Sequence, residues 1–299
     1  MDQAWDEENQ CPTSIDAPLT LGRQHAAMLK VSLPKLGISV AAGVLIALAV
    51  ANRPLTAPLP ATIDIGEMTW VEVRSAIERG YTTVIVPSGG IEQNGPHMIT
   101  GKHDHIVRAA ARRIATELGN TLVAPVISYV PEGTYEPPSG HMRFPGTIGV
   151  PEQVFAATLD GIARSLKAGG FKTIAFISDH GGSLAPQAEI AARLNAEWAG
   201  KGIKVISVDA YYSDAEQKAM LEREGESRAA IGDHASIIDT SELMVVHPEG
   251  VDLGKLSSFS LQSNGIVGDP RSATAERGTK LLSIRVAAAI LQIRAQQAK

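Results

Sequence analysis

A short β-branched run, Val84-Ile85-Val86, that breaks at once into Pro87-Ser88-Gly89-Gly90 constrains this chain more than any other feature. A run of this kind suits a strand buried on both faces, and the small, turn-forming residues after it mark where the strand ends. Glu92, His97 and His103 follow before a helical pattern resumes. In open α/β sheets ligands bind beyond the carboxyl ends of the strands, where loops present polar side chains without burying unpaired backbone. The stretch from 84 to 104 therefore reads as a strand that feeds a site.

The same pattern recurs along the chain. Residues 173–178 are the most strand-like run and end in Asp179-His180-Gly181-Gly182, residues 203–208 end at Asp209, and residues 122–129 form a weaker strand whose Pro125 suits an edge. Helical spacing covers residues 69–80, 106–118, 152–168, 184–202, 214–228, 242–246 and 275–298, with Trp70 expected in the core. Strands alternating with helices predict an α/β fold with a mainly parallel sheet and right-handed crossovers. Residues 130–150 form a long Gly- and Pro-rich loop carrying Tyr135, His141 and Phe144. Its length and aromatic content point to a substrate pocket.

With 299 residues, 44% hydrophobic and 20% charged, the chain suits one large domain, placed at 63–299. A net charge of -5 without a basic stripe excludes a nucleic-acid partner. Residues 1–51 read as an N-terminal extension with an export signal: the uncharged run 36–51 follows Lys30 and Lys35 and ends in Ala49-Val50-Ala51. It is shorter than the roughly 20 residues of a membrane span but suits a signal core. Residues 52–62, with Pro54, Pro58 and Pro60, are the linker. The expected location is periplasmic or secreted, or membrane-anchored facing the periplasm where the segment is kept. Contact with the membrane is expected only through that segment. The single cysteine, Cys11, lies upstream of the cleavage motif.

Of eight histidines, His97, His103, His105, His141, His180 and His234 fall in or beside strand-end loops, with Glu92, Asp104, Asp179, Asp233 and Asp239 among them. A lone histidine at a strand end is ordinarily a hydrogen-bonded surface residue. Six on one rim favour a divalent metal, Zn²⁺ with Mn²⁺ or Fe²⁺ as alternatives, since imidazole and carboxylate suit these ions. Asp179 and Asp233 each precede a histidine they could orient, and His105, on a first helical turn, reads as structural. Gly89-Gly90 and Gly181-Gly182 lack the spacing of a nucleotide cradle.

These residues resemble the creatininase (creatinine amidohydrolase) family. Its E-Q-H-G-P-H pattern is approached by Glu92-Gln93-Asn94-Gly95-Pro96-His97, and its H-x-x-F-P-G-T by His141, Phe144, Pro145, Gly146 and Thr147. Ser178-Asp179-His180-Gly181-Gly182-Ser183 matches N-G-H-G-G-N, and His234-Ala235-Ser236-Ile237-Ile238-Asp239-Thr240-Ser241 matches H-A-G-x-x-E-T-S, before Gly268-Asp269-Pro270. The resemblance implies a three-layer α/β/α fold, a homo-oligomer that is often a hexamer, and one or two divalent metals activating water against an amide carbon. It implies Glu92, His180 and Asp239 as metal ligands and His234 as the proton-transferring histidine; Asp233, by its position beside His234, is the candidate orienting partner.

The chain departs from the pattern in ways that bear on the metal. Asn94 replaces a ligand histidine, Gly182 stands where creatininase has a ligand glutamate, and ungapped counting puts His103 at the bridging aspartate. One metal held by Glu92, His103 and His180 with Asp239 follows. A gap restoring Asp104, with His97 compensating for Asn94, gives two. His97, Asn94, Tyr135, His141 and Phe144 are assigned to the substrate. The expected reaction is hydrolysis of a C–N bond in a small amide, open or cyclic. Two other readings stay open: a lactone or ester hydrolase with the same centre, and a non-catalytic metal- or ligand-binding envelope protein.

Overall fold

The computed structural model describes residues 61–258 and 264–298. The export segment and almost all of the linker expected from the sequence lie outside the described residues.

Helix α1 (Trp70–Glu78) starts at Thr69, which forms a reciprocal capping box with Glu72. Strand β1 (Thr83–Ser88) is buried along its whole length. Helix α2 (Lys102–Leu118) ends at Gly119, whose φ of 85° is the left-handed cap that glycine adopts without a Cβ penalty. Then come β2 (Thr121–Val123), α3 (Glu152–Ala168), β3 (Thr173–Ser178), α4 (Leu184–Glu197) and β4 (Lys204–Ser207). Helices α5 (Ala215–Arg223), α6 (Arg228–Ile231), α7 (Ile237–Val246) and α8 (Ala275–Gln297) complete the chain.

The four strands lie in the order β2-β1-β3-β4, all parallel, with Ser88 paired to Ser178 and Phe176 to Ser207. Alternate strand residues face opposite sides. Val84, Val86, Ile174 and Phe176 join a core with Phe155 and Leu159 of α3 and Leu194 of α4. Ile85, Ala175 and Ile177 face Ile106 and Ile114 of α2 and Val286 and Ile290 of α8. This is the three-layer α/β/α arrangement with a parallel central sheet. Among the described residues no helix is long and apolar enough to cross a membrane.

Three local expectations change. Strand β2 stops at Val123; Ala124 N still donates to the Ile85 carbonyl, Pro125 has no N–H to continue the ladder, and the chain rejoins the sheet at the Ser88–Ile127 bridge. Helix α2 begins four residues early, so His103, Asp104 and His105 sit on helical turns rather than in a loop. Trp70 is 70% exposed rather than core, with Arg74 over its ring.

Phe176 is fully buried at the centre of the sheet. Phe176→Ala should destabilise the domain by about 3–5 kcal/mol in urea unfolding, through lost transfer energy and a residual cavity.

Candidate metal centre

The sheet register brings the ends of β1 and β3 side by side, and the loops that follow them meet over the start of α2. There a cavity of about 360 Å³ is lined by Glu92, Lys102, His103, His141, His180 and His234, among others. Glycines permit the close approach. A Cβ on Gly89 would lie 1.9 Å from Asp104 Oδ1, and one on Gly182 would lie 2.5 Å from the Pro131 carbonyl.

Glu92, 1% exposed, is the hub. Its Oε1 is 2.6 Å from His103 Nε2, while Asp179 Oδ2 is 2.7 Å from His103 Nδ1. Burial and the neighbouring Lys102 oppose charge on this ring, but the two carboxylates outweigh them and raise its pKa. Both ring nitrogens of His103 are thus engaged by carboxylate oxygens, and neither is turned to a metal. Behind it Asp179 Oδ1 accepts from Arg285 Nη1 at 2.6 Å and from the Tyr211 hydroxyl at 3.2 Å. Arg285 also reaches Glu242 at 2.8 Å. This buried chain of alternating charges fixes the back wall.

The other side of Glu92 faces ring nitrogens and a second carboxylate. Its Oε2 lies 3.3 Å from His180 Nε2 and 3.2 Å from His141 Nε2, and Glu132 Oε2 lies 3.0 Å from His180 Nε2. Glu92 Oε2 and both Glu132 oxygens are buried without a hydrogen bond of acceptable geometry. Two buried carboxylates aimed at one point repel unless a cation or proton lies between them. Atoms that share a Zn²⁺ at about 2.0–2.2 Å stand roughly 3.0–3.6 Å apart, and both carboxylates lie at that distance from His180 Nε2. Glu92, Glu132 and His180 therefore fit a divalent ion, and Glu92, His141 and His234 form a second, less buried group of metal-holding geometry.

His234 Nε2 packs against the Gln93 carbonyl at 3.0 Å and the Gln93 amide nitrogen at 2.9 Å, and the same amide is 3.1 Å from His141 Nδ1. His234 Nδ1 faces Glu92 Oε1 at 3.6 Å. Burial, then the Lys102 charge, holds the His234 ring down to about 4, so it is neutral at pH 7. It can take up a proton there.

The structure brings Glu92, His103, His141, His180, His234 and Asp239 to one cavity, and gives several of the sequence-assigned residues other partners. Asp104 points away, its carboxylate accepting from Gly90 N at 3.1 Å and from the Ser128 hydroxyl at 2.5 Å. On α2 consecutive residues are about 100° apart, so with His103 turned inward Asp104 cannot be. Asp239 is an ion-pair partner: its Oδ2 is 2.7 Å from Lys102 Nζ and accepts from Ala235 N at 2.7 Å. Asp233 is paired with Lys218 at 2.6 Å and does not orient His234, a part that Gln93 takes. Asn94 reaches the carbonyls of Glu92 and Ile99 with its amide nitrogen, at 3.0 and 3.2 Å, and His97 Nε2 lies 3.0 Å from the Thr240 hydroxyl. Both hold loops. Tyr135 is exposed with its hydroxyl on the Gly149 carbonyl, and neither it nor Phe144 lines the cavity.

Glu132, Gln93 and Lys102 are the residues that sequence reasoning passed over. The signal for Glu132 was slight: one acid between Pro131 and Gly133, in the loop that also carries His141.

The sequence matches the family described as creatinine amidohydrolase (Creatininase) over residues 66–293. A creatinine amidohydrolase of Pseudomonas putida is 25% identical over 202 residues, covering 65% of this chain and 76% of that protein. A mycofactocin precursor peptide peptidase of Mycolicibacterium smegmatis is 27% identical over 208 residues, 67% of this chain and 79% of that one. A solved mutant creatininase of Zn–Zn type shares the fold with a TM-score of 0.64 at 21% identity, over 80% of this chain and 99% of that chain.

Glu132→Gln should weaken Zn²⁺ binding by at least about tenfold, as measured by titration of chelator-treated protein. Asp104→Asn should leave it within about twofold and cost instead about 1–3 kcal/mol of stability through its broken loop contacts.

Proposed function

The chain belongs to the creatininase family of metal-dependent amidohydrolases, and on that premise we propose that it hydrolyses the C–N bond of a small amide with one divalent cation held by Glu92, Glu132 and His180. The observation that carries this reading is the convergence of buried oxygens of Glu92 and Glu132 on one nitrogen of the His180 ring. The solved creatininase of Zn–Zn type and the imidazole–carboxylate donor set favour Zn²⁺, with Mn²⁺ as the alternative.

A divalent ion bound there supplies Lewis-acid polarisation of the carbonyl and brings the pKa of water towards about 7. The protein supplies the rest. His103, fixed between Glu92 and Asp179, holds the Glu92 carboxylate in one orientation. His234, held at Nε2 by Gln93, presents Nδ1 to the cavity as a neutral base. It takes the proton lost as water adds to the carbonyl carbon and delivers it to the nitrogen as the C–N bond breaks. His141, held by the same Gln93 amide, lines the wall against which the amide packs.

The relatives named above act on creatinine and on a precursor peptide, so the acyl–nitrogen bond is the common element of the reading and the group around it is open. The uncharged run at 36–51 and the Ala49-Val50-Ala51 motif support action outside the cytoplasm, by a domain spanning 63–299.

Chelator-treated protein should be inactive on a panel of cyclic and linear amides and regain turnover with Zn²⁺ or Mn²⁺. His234→Ala should lower kcat by about 10²–10⁴ while its metal content stays at the wild-type level. Turnover of lactones but not of the matched lactams would replace the amidohydrolase reading with the ester one.

A further inference from the structure

Lys102 has no task in the hydrolytic scheme, yet its setting is costly. It is the first residue of α2 and is 1% exposed. A cation at a helix N-terminus faces the positive end of the macrodipole, and a buried ammonium persists only where anions hold it. Here Nζ lies 2.7 Å from Asp239 Oδ2 and 4.0 Å from Glu92 Oε1, on the wall of the cavity. Without the ammonium, a buried and a half-buried carboxylate would face that space.

On that side the donors left for a metal are the two carboxylates and His234 Nδ1, which lies 3.6 Å from the same Glu92 oxygen. His103 has both ring nitrogens on carboxylates. Asn94 donates its amide nitrogen to backbone carbonyls and leaves Oδ1 buried and unpartnered, and Gly182 has no side chain.

We propose that Lys102 is a built-in cation: its ammonium occupies the ground between Glu92 and Asp239 that a second divalent ion would need, and so limits the centre to one exchangeable ion. The inference rests on the reading above for the first ion. It assigns Lys102 to charge balance within the centre, with Asp239 as its anchor rather than as a ligand.

Zn²⁺ titration calorimetry on the chelator-treated full chain tests it. Wild type should take up one equivalent, and Lys102→Met, which keeps the apolar stem and removes the charge, should take up a second, weaker equivalent. Lys102→Arg, and Lys102→Met combined with Asp239→Asn, should return to one. A purely structural lysine would lose metal or fold on removal, never gain an equivalent. Lys102→Gln serves as the second neutral variant where Lys102→Met does not fold by circular dichroism, and failure of both to fold would mark Lys102 as structural and overturn the inference. Two equivalents in wild type, or one in a folded neutral variant, overturns the inference and leaves the hydrolytic reading standing. No uptake by wild type overturns both.

Discussion

The centre depends on one imidazole ring held between two carboxylates. His103 meets Glu92 at 2.6 Å and Asp179 at 2.7 Å, and Arg285 and Tyr211 hold Asp179 from behind. Buried ion pairs add little net stability because desolvation offsets their attraction, but removing one partner leaves an uncompensated charge. The value of this chain of charges is therefore positional. It fixes one oxygen of Glu92 so that the other faces His180, His141 and the Glu132 carboxylate.

Neighbouring elements use the same economy of charge. Lys102 balances Asp239, and Asp239 in turn holds the backbone of Ala235, which has a positive φ of 51° beside His234. A non-glycine residue in that region costs of order 1–3 kcal/mol and persists only where its surroundings over-determine it. The loop carrying the neutral histidine is thus set by an ion pair that also shapes the cation site.

Much of the fold was legible because its signals are periodic. The buried runs at 83–88 and 173–178 and the helices at 152–168 and 275–297 follow directly from hydrophobic spacing, and strand ends carrying Glu92 and His180 point to one edge of a parallel sheet. The ligand-like residues around that edge were harder to sort. Whether His103 or Asp104 faces inward depends on where α2 starts, and helix boundaries are the least certain part of sequence reading. Asp239 and Asp233 look like ligands or orienting groups until their lysine partners, distant in sequence, are known. Glu132 lies in an aperiodic loop, where spacing says nothing about direction, and only the packing of Pro131 over Gly182 aims it at His180. Trp70 fits the apolar positions of a short amphipathic helix, yet tertiary packing leaves it outside.

Anomalous scattering at the zinc edge from crystals grown with Zn²⁺ tests the central claim most directly. The account predicts one strong peak per chain at about 2.0–2.2 Å from carboxylate oxygens of Glu92 and Glu132 and from a ring nitrogen of His180. A peak coordinated instead by His103 or Asp239, or no peak in this cavity, would contradict it.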